Sequence, residues 1–204
     1  LAAKILREKV GETQRPLADA ILAQTARVSD HIDQVLELGS LERGSATIPL
    51  SPIDFRPILE GLCLQFETRC ALENIPFSYR LDPGEFPLRA SAFHLENAVN
   101  NLLDNARKYG EGTAITLRAV SGAKHLTIAV KDHGPGIPLE EQEKIFRKYY
   151  RISKGDRQDV RGYGLGLSYV KTVVDRHKGK IQVASSQGNG TEFTIVLPLN
   201  PNGT

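Results

Sequence analysis

The 204-residue sequence lacks a strong charge bias and lacks any long apolar run. Its formal net charge of +2 at pH 7 provides neither a basic surface for nucleic acid nor an acidic tail. Its apolar runs are far shorter than the roughly 20 residues of a membrane-spanning helix, and no signal-peptide pattern opens the chain. We therefore expect a soluble protein that binds no nucleic acid and meets a membrane only through segments outside this sequence. Because the first residue, Leu1, is not a methionine, we also expect further residues upstream.

Cysteine is scarce, with Cys63 and Cys70 the two present. They stand seven residues apart in a predicted helix, about 10 Å along its axis, which is too far for a disulfide. A metal site at this pair is disfavoured because no further ligands accompany it. We expect both cysteines to be small buried apolar side chains in a reducing compartment.

The first 44 residues are predicted to form a helical hairpin, with helices over 1–10 and 17–42. The second helix carries a seam of coiled-coil spacing at Ile21, Thr25, Val28, Ile32 and Val35. This seam fits either packing on the helix's own domain or dimerisation into a bundle. We favour dimerisation, because so short a helical pair would be marginal without a partner. Residues 45–52, rich in Ser and Pro, are predicted to be a linker.

From Ile53 onward the pattern changes to mixed helices and strands. The predicted helices cover 55–73, 91–109, 138–148 and 165–177. The predicted strands cover 76–81, 87–89, 114–120, 125–132, 180–186 and 192–199. Because helices and antiparallel strands are mixed rather than strictly alternating, we predict an α+β fold, a two-layer α/β sandwich over 53–204.

One predicted helix contains "NAVNNLLDNARKYG", residues 97–110, which is unusually rich in asparagine. It has a buried stripe at Val99, Leu102, Leu103 and Ala106. Asparagine is a mediocre helix former, so an ordinary solvent face is an unsatisfactory explanation for so many of them. A single polar line runs down the helix through Asn97, Asn101, Asn105 and Lys108, at i, i+4, i+8 and i+11.

Three glycine-rich stretches follow this helix: "DHGPGI" (132–137), "GYGLGL" (162–167) and "GNGTEF" (188–193). Glycine permits positive φ and lets backbone N–H groups approach an anion closely. The second stretch leads directly into a predicted helix, whose N-terminus suits a phosphate. Taken singly, each stretch is equally consistent with a plain turn. The second is neither a P-loop nor a convincing dinucleotide fingerprint.

The order of these motifs is more specific than any one of them. "NNLLDNARKY", "DHGPGI", "IFRKYYR" (145–151), "GYGLGLS" and "GNGTEF" resemble, in this sequence, the N, G1, F, G2 and G3 boxes of the sensor histidine kinases. These belong to a wider group of ATPases with gyrase, mismatch-repair ATPases and heat-shock chaperones. The resemblance covers 48–199 as a Bergerat-type ATP-binding catalytic domain and 1–42 as most of a helical dimerisation domain.

The resemblance implies ATP and Mg²⁺ as cofactors. It assigns the amide oxygen of Asn105 to Mg²⁺, with Asn101 near the phosphates. Lys108 would reach a phosphate, Tyr109 would cap the pocket near the base or ribose, and Asp132 would accept a hydrogen bond from the adenine amino group. Further nucleotide contacts are implied for residues of the glycine and aromatic boxes: Gly134, Gly136, Ile137, Phe146, Tyr150, Gly162, Gly164, Leu165, Gly166, Leu167 and Thr191.

Catalytic roles are implied for Asn101, Lys108, Lys148 and Arg151. The family more often has Arg-Phe where this chain has Lys148-Tyr149. The lysine keeps the positive charge but loses bidentate phosphate geometry. The polar segment from about Tyr149 to Tyr163 is predicted to be a mobile lid over the nucleotide, in which Arg161 could approach the γ-phosphate.

The family's phosphoryl-accepting histidine has no counterpart in this sequence. His31, in "SDHIDQVLEL", lacks the acidic neighbour and following proline of that motif and lies on the wrong helix. We therefore expect the acceptor upstream of Leu1 and a chain that cannot phosphorylate itself. The resemblance implies transfer of the γ-phosphoryl to that histidine and then to a response-regulator aspartate, in a homodimer forming the cytoplasmic portion of a membrane-bound sensor.

Two alternatives remain at this point. One is an ATP-binding pseudokinase or signalling scaffold. The other is an ATP-hydrolysing clamp of the gyrase type, which is disfavoured because such enzymes carry a Glu general base where this chain has Asn101.

Overall fold

The computed structural model describes residue 39 and residues 48–152 and 163–199. The chain divides into two units between Ala46 and Thr47, and the account below concerns the second. The two predicted N-terminal helices lie outside the described residues, as do His31, Arg161 and Gly162. Within the described ranges, no helix is long and apolar enough to cross a membrane.

The second unit consists of seven strands and three α-helices in the described ranges. In chain order they are β1 (Ser51–Asp54), α1 (Arg56–Leu72), β2 (Phe77–Leu81), β3 (Pro87–Ala90), α2 (Ala92–Tyr109), β4 (Ile115–Ser121), β5 (His125–Asp132), α3 (Gly166–Arg176), β6 (Lys180–Ser185) and β7 (Thr191–Pro198). The main sheet has the order β2-β4-β5-β7-β6, with β2 parallel to β4 and the other neighbours antiparallel. Strands β1 and β3 form a separate antiparallel pair.

The core lies between one face of the main sheet and the helices. Alternate residues of the two central strands are buried on that face: Leu126, Ile128 and Val130 of β5, with Phe193, Ile195 and Leu197 of β7. Helix α2 contributes a buried stripe at helical spacing: Leu95, Ala98, Val99, Leu102, Leu103 and Ala106. The predicted two-layer α+β sandwich is therefore confirmed.

Two local predictions differ from the structure. Strand β1 begins at Ser51, inside the segment 45–52 that the sequence assigned to a linker. The helix predicted over 138–148 is wrong, because the chain forms two short 3₁₀ helices there, Leu139–Glu141 and Lys144–Phe146. The side-chain amide of Gln142 donates to the Ile137 and Ser185 carbonyls, at 3.0 and 2.8 Å, and holds this segment against β6. Ile145 is the one buried residue of the two turns, too little apolar surface to support a longer helix.

The two cysteines are buried and unbridged, as predicted. Burial raises the pKa of the Cys63 thiol to about 12, with Glu60 and Glu67 acting in the same direction. Because the thiolate is the reactive form, Cys63 is an inert core residue.

Candidate functional site

The asparagine helix meets the second glycine box at the start of α3. The Asn101 amide donates to the Asn97 carbonyl at 2.9 Å. Its Oδ1 faces Gly166, the first residue of α3, so closely that a β-carbon on this glycine would stand 2.9 Å from it. The first N–H groups of a helix have no partner inside it and carry partial positive charge. Asn101 therefore borders a group of N–H donors suited to an anion.

The C-terminal end of the same helix meets the first glycine box. A β-carbon on Gly134 would stand 2.8 Å from both the Tyr109 carbonyl oxygen and the Gly110 α-carbon. Only a glycine lets the turn after β5 pack this closely on the end of α2. A β-carbon on Gly110 would lie 3.4 Å from the β-carbon of Asp132. The two boxes are thus in direct contact.

Asp132 ends β5 and is 6% exposed. Its Oδ1 accepts the Gly134 backbone N–H at 2.8 Å. Burial raises the pKa of this carboxyl above its ordinary value, while hydrogen bonds from the backbone of Gly134 and Thr191 act in the opposite direction. A buried carboxylate needs hydrogen-bond donors, so its remaining acceptor capacity suits an amino group of a ligand.

The first and third glycine boxes are joined through a serine that the sequence analysis missed. The Ser185 hydroxyl accepts the Ile137 N–H at 2.8 Å and lies 2.7 Å from the Gly190 carbonyl and 3.0 Å from the Thr191 hydroxyl. Thr191 pairs with Asp132 across β5 and β7. Gly190 has φ +79, and a β-carbon there would collide with the Asp132 carbonyl. Ser185 belongs to none of the sequence motifs. Its position at the end of a predicted strand was the one feature of the sequence that could have indicated its role.

The aromatic box contacts β7 and the second glycine box. Phe146 packs edge-on against Phe193, with ring centroids 6.3 Å apart. The Tyr150 hydroxyl donates to the Glu141 carboxylate. The Tyr149 N–H donates to the Gly164 carbonyl at 2.9 Å, so the aromatic box and the second glycine box are adjacent.

The remaining predicted residues divide by exposure. Lys108, Lys148 and Arg151 are exposed, Asn105 and Leu167 are half-buried, and Leu165 is buried. Asn105 makes no side-chain hydrogen bond within the part of the chain that the structure describes. A neutral amide oxygen is a suitable ligand for a hard cation. The described ranges contain no group of three or more His, Cys, Asp or Glu that could hold a metal ion.

Asn100 has a different role from its neighbours. Its Oδ1 accepts from Arg69 of α1 at 2.9 Å. Asp104 lies 3.5 Å from both Arg69 and Arg107, and Arg107 also bonds Glu73 at 2.8 Å. This side of α2 is therefore a polar contact with α1, outside the candidate nucleotide site.

Comparison with known proteins defines the class. The family described as histidine kinase-, DNA gyrase B- and HSP90-like ATPase matches residues 90–201, more than half of the chain. The chain belongs to this family, as the resemblance of its five boxes predicted.

The individual similarities are to sensor kinases. Sensor protein RprX of Bacteroides fragilis is 32% identical over 99% of this chain and 40% of the relative. The sensor-like histidine kinase SenX3 of Mycolicibacterium smegmatis is 30% identical over 94% of this chain and 50% of the relative. This chain thus spans half or less of these relatives. The solved mycobacterial sensor histidine kinase MprB matches with a TM-score of 0.62 and 29% identity, over 73% of this chain and 97% of that one.

Proposed function

We propose that this chain is the ATP-binding catalytic part of a sensor histidine kinase. In the intact protein, the γ-phosphoryl of Mg-ATP passes to a histidine upstream of Leu1 and then to an aspartate of a response-regulator receiver domain. The observation that carries the proposal is the contact of α2 with two glycine boxes. Asn101 borders the start of α3, and the end of α2 packs on the turn that carries Asp132.

The adenine end of the nucleotide would bind at the end of β5. Asp132 accepts from the adenine amino group, and Gly134 lets the chain pass close to the base. Tyr109, 46% exposed, lies at the end of α2 beside this turn and covers the base or ribose. Further contacts come from the residues of the boxes around it, which are Gly136, Ile137, Phe146, Tyr150 and Thr191.

The phosphates would bind between Asn101 and the start of α3. Backbone N–H groups after Gly164 and Leu165 donate to them, and Lys108, Lys148 and Arg151 neutralise their charge. Asn105 contributes its amide oxygen to a magnesium ion, which, when bound, offsets the triphosphate charge. The chain's own contribution to the reaction is positioning and charge stabilisation, as is general for phosphoryl transfer.

Hydrolysis of the gyrase type is not supported by the site. A general base must accept a proton from water, and an amide does not do so at neutral pH. Asn101 occupies the position of that base, and its amide nitrogen is engaged with the Asn97 carbonyl.

The partners follow from the same proposal. The N-terminal helices form a homodimer, and the phosphorylated histidine meets a response-regulator receiver domain. The chain is then the cytoplasmic portion of a sensor whose membrane segments lie outside this sequence. The stretch from Tyr149 to Tyr163 acts as the lid over the nucleotide.

A phosphorylation experiment tests the proposal. The chain is incubated with γ-labelled ATP, alone and with a longer version of the same protein whose ATP site is inactivated, so that the longer version acquires no label by itself. We expect no label on the chain alone and label on the longer version, once mixed dimers are demonstrated. Label on the chain alone that is lost in His31→Ala contradicts our placement of the acceptor. Binding of ATP without label on either chain favours a signalling scaffold.

A further inference from the structure

Three contacts that involve polar side chains connect α2 and α3 or the residues that cap them. From one end to the other these are Ser91 with His177, His94 with Tyr169, and Asn101 with Gly166. The residue numbers rise along α2 while they fall along α3, so the two helices are antiparallel. The first contact lies far from the candidate phosphate site, and the third lies within it.

The far contact is fixed by a buried histidine. His177 is 5% exposed, and its Nδ1 donates to the Val173 carbonyl at 2.7 Å. Its Nε2 accepts the Ser91 N–H at 3.0 Å. One ring thereby joins the end of α3 to the start of α2.

In the middle contact, Tyr169 lies about one turn from the start of α3, and His94 lies about two turns from Asn101 along α2. The His94 Nδ1 is 2.9 Å from the Tyr169 hydroxyl, which belongs to a 2% exposed side chain. The Tyr169 N–H donates to the Leu165 carbonyl at 2.9 Å. The three residues from Gly166 to Ser168 are therefore the first of α3, and their N–H groups precede this first helical bond.

The third contact limits how closely α3 can approach α2. Because the Asn101 oxygen is so close to Gly166, α3 cannot approach α2 further at this end. Along the axis of α2, two directional contacts oppose a displacement of α3: the bond of His177 with Ser91 at the far end, and the bond of His94 with Tyr169 nearer the phosphate end. A slide of one residue rise, about 1.5 Å, takes an N–H group out of hydrogen-bond range of a fixed phosphate oxygen. A directional bond near the phosphate end opposes such a slide.

We propose that His94 and Tyr169 are positioning residues for phosphate recognition. Their hydrogen bond fixes the first turn of α3 along α2, so that its free N–H groups stay beside Asn101. The inference rests on the proposed nucleotide site. It goes beyond that site because neither His94 nor Tyr169 is among the residues for which the five boxes imply a contact with the nucleotide.

The test compares nucleotides with and without phosphates. Binding of Mg-ATP and of adenosine is measured by calorimetry for the unaltered chain, Tyr169→Phe, His94→Leu and His94→Asn. Thr172→Val is the matched control, since the Thr172 hydroxyl bonds the Ser168 carbonyl within α3 at 2.9 Å. It removes one hydroxyl bond from the same helix without affecting the contact between helices.

Loss of one such bond should weaken ATP by roughly three- to tenfold in Tyr169→Phe and His94→Leu. The affinity for adenosine should change by less than about twofold, because adenosine has no phosphate that could contact α3. His94→Asn should recover most of the ATP affinity, because an asparagine side chain presents a polar atom near the position of Nδ1. Thr172→Val should bind ATP as the unaltered chain does.

Several outcomes overturn the inference. These are unchanged ATP affinity in Tyr169→Phe, equal weakening of ATP and adenosine, or failure of His94→Asn to recover. A lowered unfolding temperature with unchanged ATP affinity in folded Tyr169→Phe or His94→Leu shows a purely structural role. Failure of the unaltered chain to bind ATP overturns the proposed function instead, so the two failures are distinguishable.

Discussion

Replacing Asp132 with asparagine tests the proposed recognition of the adenine ring. The substitution keeps the shape of the side chain and removes its charge. One oxygen can continue to accept the Gly134 N–H, at 2.8 Å in the native chain. The other position then carries an NH₂ group that faces the amino group of the base, donor against donor.

The magnitude follows from the hydrogen bond that is lost. A hydrogen bond to a charged group contributes about 1.5–3 kcal/mol, which corresponds to a roughly ten- to hundredfold loss of affinity. Two opposing effects act on the free energy of unfolding. Burial raises the pKa of Asp132, so its charged form is disfavoured in the native state and the neutral amide removes that cost. The backbone hydrogen bonds from Gly134 and Thr191 act in the opposite direction, because they are weaker to an amide than to a carboxylate.

Calorimetric titration of adenosine and ATP, each with magnesium and with a chelator, measures the effect. The expected loss is the same for all four combinations, because the changed contact is to the base. Asp82→Asn is the matched control. Asp82 lies on the loop after β2, and its carboxylate also accepts a backbone N–H, that of Ser121 at 3.1 Å. Adenosine affinity in Asp132→Asn equal to that of the unaltered chain would refute the assignment.

Three further predictions follow from the site and the core. Asn105→Ala should abolish most of the magnesium-dependent part of ATP affinity, and the same magnesium dependence as in the unaltered chain would contradict this. A non-hydrolysable ATP analogue should slow amide hydrogen exchange across 149–163, whereas fast exchange unchanged throughout would count against a lid. Burial lowers the pKa of His177, so the native chain binds fewer protons than the unfolded chain below about pH 6.5. The contribution of His177 to the free energy of unfolding should therefore be largest above that pH and should decrease as the pH falls toward the native pKa. Urea unfolding of His177→Gln should show a weaker dependence of the free energy of unfolding on pH.

The sequence was most informative where one periodicity extended over many residues. The stripe from Val99 to Ala106 and the alternation from Leu126 to Val130 each identify their element and its buried face. The segment 138–148 has no such pattern. Its conformation depends on Gln142, whose partners Ile137 and Ser185 are fixed by the tertiary fold. Side-chain bonds across a long loop have no local signature, and the predicted helix failed for that reason.

The candidate site also has parts that the sequence identifies and parts that it does not. The five boxes identify its parts, and Gly134 and Gly166 are glycines because neighbouring chain occupies the space of a β-carbon. Spacing along the helix placed Asn101 on the polar line and left Asn100 off it, but it could not identify the partner of Asn100, which is Arg69 on another helix. The contact of His94 with Tyr169 joins positions 75 apart in sequence, and nothing local to either predicts it.

The asparagines of α2 are consistent with a site that must hold a highly charged ligand. Asn101 and Gly110 are nine residues apart, which is about 13 Å along the helix axis, and Asp132 lies beside Gly110. At that separation a carboxylate repels one phosphate charge by about 0.3 kcal/mol in water and about 1.3 kcal/mol near a protein surface. The proposed hydrogen bond to adenine, about 1.5–3 kcal/mol, exceeds the repulsion from one such charge. A carboxylate at position 101 or 105 would lie next to the phosphates, where the repulsion is several times larger. The acid that α2 does carry between them, Asp104, faces α1 and lies 3.5 Å from two arginines. Neutral amides on the phosphate side and a paired acid on the other side therefore allow one helix to serve both the site and the core.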